Sequence, residues 1–287
     1  MADPQEMRAW SRAERGRGNR IGFVPTMGAL HEGHLRLVDR ARSRTNRVVL
    51  SAFVNPLQFA PSEDFAAYPR DLDRDRALAK ARGVDVLFVP TTAAVYPAEP
   101  VVRVAPGPMG DVLEGAARPG HFQGVLTVVA KLLHIVEPDI AVFGRKDFQQ
   151  ATLVRRMAAD LGFAAEIDVV PTVRELDGLA LSSRNSYLNA DERRAAIALS
   201  RALRTVEQAW RGGQIAAAAL VERGLEVLRV PGVAPEYLAL VDFDLRPVAR
   251  ADARTIVLLA ARVGSTRLID NVVLGDGLAR DIPVRGG

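Results

Sequence analysis

Apolar and polar positions follow two rhythms over the first 170 residues. Short apolar runs rich in β-branched residues lie at Ile21–Pro25, Val48–Val54, Val84–Val89, Ile140–Phe143 and Ile167–Val170, and they predict strands. Between them, apolar residues spaced three and four apart predict helices over Gly33–Arg44, Leu72–Ala81, Phe122–Val136 and Phe148–Leu161. In the third, Phe122, Val125, Val129, Leu132, Leu133 and Val136 form a core-facing stripe that Pro138 terminates. A polar amphipathic helix over residues 4–16 precedes the first strand. Strand–helix alternation of this kind predicts an α/β fold with a doubly wound parallel sheet.

The rhythm changes near residue 173. A helix is predicted over Asn189–Trp210, capped by Asn189 or Asp191 and stopped by Gly212-Gly213, with a second over Ile215–Val230. Strand-like runs follow at Tyr237–Phe243, Thr255–Val263 and Arg267–Leu274, with turns at Arg246-Pro247 and Gly264-Ser265. Helices followed by an antiparallel meander predict a smaller α+β domain, so the expected division is 1–172 and 173–287. Two stretches, Asn55–Arg70 and Pro90–Gly120, are long for ordinary loops. Both follow a strand, where they can overhang a site.

Candidate chemistry gathers at strand-to-helix junctions. The run Val24-Pro25-Thr26-Met27-Gly28-Ala29-Leu30-His31-Glu32-Gly33-His34 leaves a strand and opens a helix. Ligands bind at that end of an α/β sheet, and a helix N-terminus suits a phosphate. Two imidazoles would add hydrogen-bond donors. The alternatives are a surface pair or half a metal site. Zinc is disfavoured, because there is no cysteine and His121 and His134 lie far along the chain without ligand spacing. At Phe53-Val54-Asn55-Pro56-Leu57-Gln58-Phe59, Gln58 can orient a small hydroxy acid among apolar residues; an ordinary turn reads the same way. In Gly144-Arg145-Lys146-Asp147-Phe148-Gln149-Gln150, Lys146 can reach a phosphate and Asp147 can accept from a ribose or cap the next helix. Gln150 lies one turn on. Leu181-Ser182-Ser183-Arg184-Asn185 supplies hydroxyls and a forked cation for an anion, or an ordinary turn. His121 reads as a helix cap or a site-facing residue, with capping favoured, and Asp75 as a conceivable but disfavoured metal contact. No P-loop and no G-x-G-x-x-G follows a strand.

Composition narrows the classes. The chain has 287 residues, 48% of them hydrophobic, enough for a sizeable core. No apolar run reaches membrane-spanning length, and no apolar segment follows the Arg-rich start, so no leader is expected. With no cysteine, disulfide and thiol chemistry are excluded, in keeping with an expected cytoplasmic setting. Lys80, Lys131 and Lys146 are the only lysines, which singles out Lys146 beside an arginine. A pI of 9.8 raises a nucleic-acid-binding protein as a rival, but the net charge is only +4 and no aromatics interleave with the basic residues.

In this order and spacing the motifs, with Tyr68-Pro69-Arg70 and Arg118-Pro119-Gly120-His121-Phe122, resemble the pantothenate synthetases (pantoate–β-alanine ligases) from about Ile21 to Val273. The resemblance implies a Rossmann-like domain of the nucleotidyltransferase superfamily, a smaller C-terminal lid domain and a homodimer. It implies ATP contacts at Met27, Gly28, Ala29, Leu30, His31, Glu32, Gly33 and His34, at Gly144, Arg145, Lys146 and Asp147, and at Val173, Leu181, Ser182, Ser183 and Arg184. It implies pantoate contacts at Gln58 and Gln150, with His34, His31, Lys146 and Arg184 as the catalytic set. The implied substrates are pantoate, β-alanine and ATP with Mg²⁺, without nucleic acid or membrane; the direct protein ligands of the metal stay open. The family usually has Glu where this chain has Arg145, a charge reversal beside Lys146. A cytidylyl- or adenylyltransferase acting on a phosphorylated substrate is the nearest rival. It would need an anion pocket where Gln58 and Gln150 supply neutral amides. A catalytically dead homologue has only Arg145 in its favour.

Overall fold

The computed structural model describes residues 1–61 and 63–284. The chain forms two compact units: Met1–Gly144 with Gln149–Val170, and Arg145–Phe148 with the chain from Pro171 on.

The first unit is built on β1 (Ile21–Thr26), β2 (Arg47–Ala52), β3 (Val86–Phe88), β4 (Ile140–Gly144) and β5 (Glu166–Val170), in the order β3-β2-β1-β4-β5 with every pair parallel. Register runs Ile21↔Arg47 to Thr26↔Ala52 on one side of β1 and Gly22↔Ile140 on the other. The helices are α1 (Pro4–Gly16), α2 (Glu32–Arg44), α3 (Leu72–Ala81), α4 (Thr92–Val95), α5 (Glu114–Ala117), α6 (His121–Val136) and α7 (Phe148–Asp160). Asp3 caps α1 by accepting from the Gln5 and Glu6 amides. Phe23, Val49, Phe88, Ala141 and Phe143 from the sheet share one core with the expected stripe of α6. Because α6 is buried on nearly every side, its sequence is apolar beyond that stripe.

The chain passes from β1 to β2 on one side and reaches β4 on the other. The topological switch point therefore lies at the carboxyl ends of β1 and β4, where an open α/β sheet leaves its ligand crevice. The two long stretches are not bare loops. A 3₁₀ turn occupies Pro56–Gln58, and α4, a turn at Pro108–Gly110 and α5 punctuate the second.

The second unit contains β6 (Val173–Arg174), α8 (Ala190–Arg211), α9 (Ala217–Leu228), the antiparallel meander β7 (Val233–Val241), β8 (Ile256–Val263) and β9 (Thr266–Val273), and β10 (Ile282–Pro283), which pairs in parallel with β6. Asn189, not Asp191, caps α8: it accepts from the Asp191 and Glu192 amides, while Glu192 accepts from the Asn189 amide. Leu199, Leu203, Leu220, Leu228, Val257 and Leu259 pack a separate core. Strand β7 begins four residues before its expected start. A register shift between Pro235 and Tyr237 lets the strand absorb a proline that reads as a breaker in sequence.

Candidate active site

The junction after β1 is held from both sides. Thr26 Oγ1 donates to Ser51 O at 2.6 Å and accepts from Gly28 N at 3.1 Å. Gly28 takes φ +85°, which only glycine adopts without strain, and Ala29 follows at φ +50°. This turn presents successive amides to one side chain: Asp75 of α3 accepts from Ala29 N at 2.9 Å and Leu30 N at 2.7 Å. Asp75 is buried, so both of its oxygens are committed to the loop. The conceivable metal contact at Asp75 is thus replaced by a structural duty.

His31 is the N-cap of α2 and His34 is its third residue. His31 Nδ1 accepts from Gly33 N at 3.1 Å, and His34 Nδ1 accepts from His31 N at 3.4 Å. The rings stack with centroids 4.0 Å apart. The helix start therefore does not offer all of its amides to a ligand, as the sequence suggested; the histidines take up two nearby N–H groups themselves. A neutral ring that accepts at Nδ1 carries its proton on Nε2, so the capping fixes both rings as Nε2 donors. The Glu32 carboxylate meets Arg82 at 2.6 Å and Arg36 at 3.1 Å.

Gln58 is buried at the end of its 3₁₀ turn. Its Oε1 accepts from Asn55 Nδ2 at 3.1 Å, and its Nε2 donates to Met27 Sδ at 3.2 Å. Asn55 also donates to Gly124 O and accepts from the Tyr96 hydroxyl. Gly124 is obligatory here, because a Cβ on it would collide with the Leu57 carbonyl. His121 does not cap α6; Gly120 occupies that position at φ +81°. Instead, His121 Nδ1 lies 2.8 Å from Gln58 O, and its Nε2 lies 2.9 Å from Arg118 Nη1. The carbonyl requires a donor and the guanidinium an acceptor, so His121 is neutral with its proton on Nδ1. Burial, followed by the Arg118 charge, pushes its pKa down to about 4. Arg118 in turn pairs with Glu63 at 2.5 Å.

A cavity of about 310 Å³ opens beyond the carboxyl ends of β1, β2 and β3, walled by Met27, Gly28, Phe53, Asp71 and Thr91 among others. Phe59 packs against Phe65 and Tyr68. Gln150 is half-buried in the first turn of α7, whereas its neighbour Gln149 is buried and ties down the Met109–Glu114 stretch.

In the second unit, Leu181 N donates to Val173 O at 2.9 Å, closing a hairpin that delivers Ser182, Ser183 and Arg184. Ser182 Oγ caps the following 3₁₀ turn by accepting from Arg184 N, and Asn185 donates back to Ala180 O. Lys146 Nζ lies 3.7 Å from Asp147 Oδ1. The Arg145 guanidinium is buried and turned to Asp276 and Asp281, both at 2.7 Å. Back in the first unit, a Cβ on Gly144 would meet nothing within 4 Å.

The roles of Asp75, Asn55, His121 and Gln149 as holders of other segments escape a reading of local motifs. Asp75 did carry a signal: it falls four residues before Ala79, so the two share the buried face of α3, an acid where an apolar residue is expected.

A five-stranded parallel sheet with helices, its switch point at β1 and β4, and a smaller antiparallel-sheet unit define a Rossmann-like α/β protein. A family model for pantoate–β-alanine ligase matches residues 1–273. The pantothenate synthetase of Saccharopolyspora erythraea is 53% identical over 95% of this chain and 90% of its own, and that of Moorella thermoacetica 51% over 93% and 95%. The crystal structure of pantothenate synthetase from Thermus thermophilus superposes with a TM-score of 0.91 at 49% identity, covering 96% of this chain and 98% of that one. The pantoate–β-alanine ligase of Francisella tularensis, complexed with β,γ-ATP and β-alanine, gives 0.81 at 33% identity over 97% and 98%. The chain belongs to the pantoate–β-alanine ligase family, and the activity of that family is its activity. Among the described residues no helix is long and apolar enough to cross a membrane.

Proposed function

We propose that the chain joins pantoate to β-alanine through a pantoyl-adenylate intermediate. A carboxylate oxygen of pantoate attacks the α-phosphorus of Mg–ATP, the bond to the β-phosphate oxygen breaks, and pyrophosphate leaves. The β-alanine amine then attacks the acyl carbon, AMP departs, and the amine gives up a proton. Neither step needs a protein nucleophile, so catalysis is positioning and charge stabilisation.

The observation that carries this reading is the mutual capping of His31 and His34 at the carboxyl end of β1. Two imidazoles locked as Nε2 donors suit negative charge moving onto a leaving pyrophosphate, and they bring no fixed positive charge. The loop Met27–His34 would lie along the nucleotide. From the second unit the resemblance assigns Lys146 and Asp147, Val173, and Leu181 to Arg184 to the same nucleotide; Arg145, with its guanidinium engaged elsewhere, would contribute main chain only. Gln58 and Gln150 would hold the oxygens of pantoate, with Met27 and Phe53 against its methyl groups. Among the described residues no group of three or more His, Asp or Glu side chains could hold a metal ion. Mg²⁺ would arrive as Mg–ATP, held by phosphate oxygens and water. The resemblance also supports a homodimer, a lid role for the second unit and a cytoplasmic setting.

The test is pantoate-dependent exchange of labelled pyrophosphate into ATP without β-alanine. Exchange that requires pantoate supports the adenylate. Its absence while pantothenate still forms would remove the intermediate and leave the ligase activity.

A further inference from the structure

The segment Arg145–Asp147 carries Lys146, and one side chain holds its main chain. Asn271, buried on β9, donates from Nδ2 to both Arg145 O and Lys146 O at 2.9 Å. From there a closed circuit can be traced. Arg145 Nη2 donates to Asp281 Oδ1 at 2.7 Å, and the other oxygen of Asp281 accepts from Arg174 Nε at 2.6 Å. Arg174 grips Asp270 with both terminal nitrogens at 2.6 and 2.8 Å. Asp270 Oδ1 accepts from Asn271 N at 2.8 Å, which returns the path to its start. Asp281 is itself set by strand pairing, since the next residue, Ile282, donates from its amide to Thr172 O.

Asn271 Oδ1 and Arg145 Nε are buried without partners in this ring. Such orphans each cost stability, and a buried ionic ring is itself weak evidence for stability. The arrangement does, however, fix two successive carbonyls around one lysine. It also accounts for the charge reversal at position 145: facing Asp276 and Asp281, a guanidinium closes the ring where a carboxylate would be repelled.

We infer that Asp281 and Asn271 are positioning residues for Lys146, acting through Arg145 and the main chain of the 145–147 turn. The inference deepens the reading above, in which Lys146 meets the phosphates of ATP.

The test pairs two measurements on wild type, Asp281→Asn, Lys146→Met and the double variant. Amide hydrogen exchange over residues 145–148 should speed by about tenfold in Asp281→Asn, the equivalent of one charge-assisted hydrogen bond. Pantoate-dependent pyrophosphate exchange should slow by a similar factor of about ten, because the aim of Lys146 is lost. In the Lys146→Met background, Asp281→Asn should change the rate by less than about twofold, since it acts through the missing group. Unchanged amide exchange in Asp281→Asn, or a full multiplicative loss in the double variant, overturns the inference. If Asp281→Asn does not fold, Arg145→Lys, which keeps a cation and loses the fork, serves in its place. A wild type lacking pyrophosphate exchange would defeat the adenylation reading alone; amide protection at 145–148 would still decide the positioning.

Discussion

His31 and His34 cap one another: each ring accepts a main-chain N–H at Nδ1, and the two rings stack 4.0 Å apart. The same contacts end a helix and fix two tautomers, so structure and chemistry are separable by choice of substitution. His34→Ala should cost about 1 kcal/mol of stability through the lost cap, and should slow pyrophosphate exchange by about 10²–10³-fold through the lost donor. His34→Gln can still reach back to the His31 amide, as glutamine does in a capping box. Urea unfolding of this variant should recover most of the stability while the exchange rate stays low. Recovery of both would mean that His34 serves the helix alone.

Asp75 holds the Ala29 and Leu30 amides with separate oxygens. Asp75→Asn keeps one acceptor and turns an NH₂ group toward the other amide. The expected loss is about 2 kcal/mol, the cost of one buried unsatisfied group. Urea unfolding at neutral pH measures it, and an unchanged midpoint would show that the loop does not depend on this carboxylate.

Gly124 lets α6 approach the Pro56–Gln58 turn closely. Gly124→Ala must push back the backbone that carries Gln58, at about 1–3 kcal/mol. If Gln58 holds pantoate, the KM for pantoate should rise while the KM for ATP changes little. Equal changes in both would detach Gln58 from pantoate.

The pKa of His121 falls from 6.5 to about 4 on folding. A group with a depressed folded pKa supplies stability that is complete above its unfolded pKa and lost as pH falls through the folded one. The window is therefore pH 6.5 to 4, and the full loss is about 3 kcal/mol. The Arg118–Glu63 pair adds its own loss at lower pH, because Arg118 holds the Glu63 carboxyl below its usual range despite burial. Stability profiles of wild type and His121→Gln should converge as pH falls from 6.5 to 4. Parallel profiles across that window would mean that His121 titrates normally.

Arg145→Glu would install the residue that the resemblance implies at this position, and should nonetheless destabilise this chain by about 3–5 kcal/mol, as breaking a buried ion pair does. Thermal unfolding decides it. An unchanged midpoint would mean that Asp276 and Asp281 do not depend on the guanidinium.

The alternation of strands and helices and the two-part plan are legible in the sequence because each rests on local periodicity. The candidate site is legible only in part. His31, His34 and Gln58 announce themselves through Pro, Gly and Asn punctuation nearby. The parts played by His121 and Asn271 do not, because each works across 63 to 126 residues of chain on the main chain of another segment, and main-chain partners leave no mark in composition. The departure at Arg145 is ambiguous from sequence for the same reason: its two carboxylates stand more than 130 residues away.

That separation also has a meaning in time. Asp281 follows Arg145 by 136 positions, and a ribosome adding about 5–20 residues per second needs on the order of ten seconds to cross that gap. Arg145 waits through that whole interval, and Arg174 through its last 107 residues, for the carboxylate that bridges them. The turn bearing Lys146 is therefore among the last parts of the molecule to settle, and a product stalled short of Asp281 would emerge with its first sheet complete and its lysine unaimed.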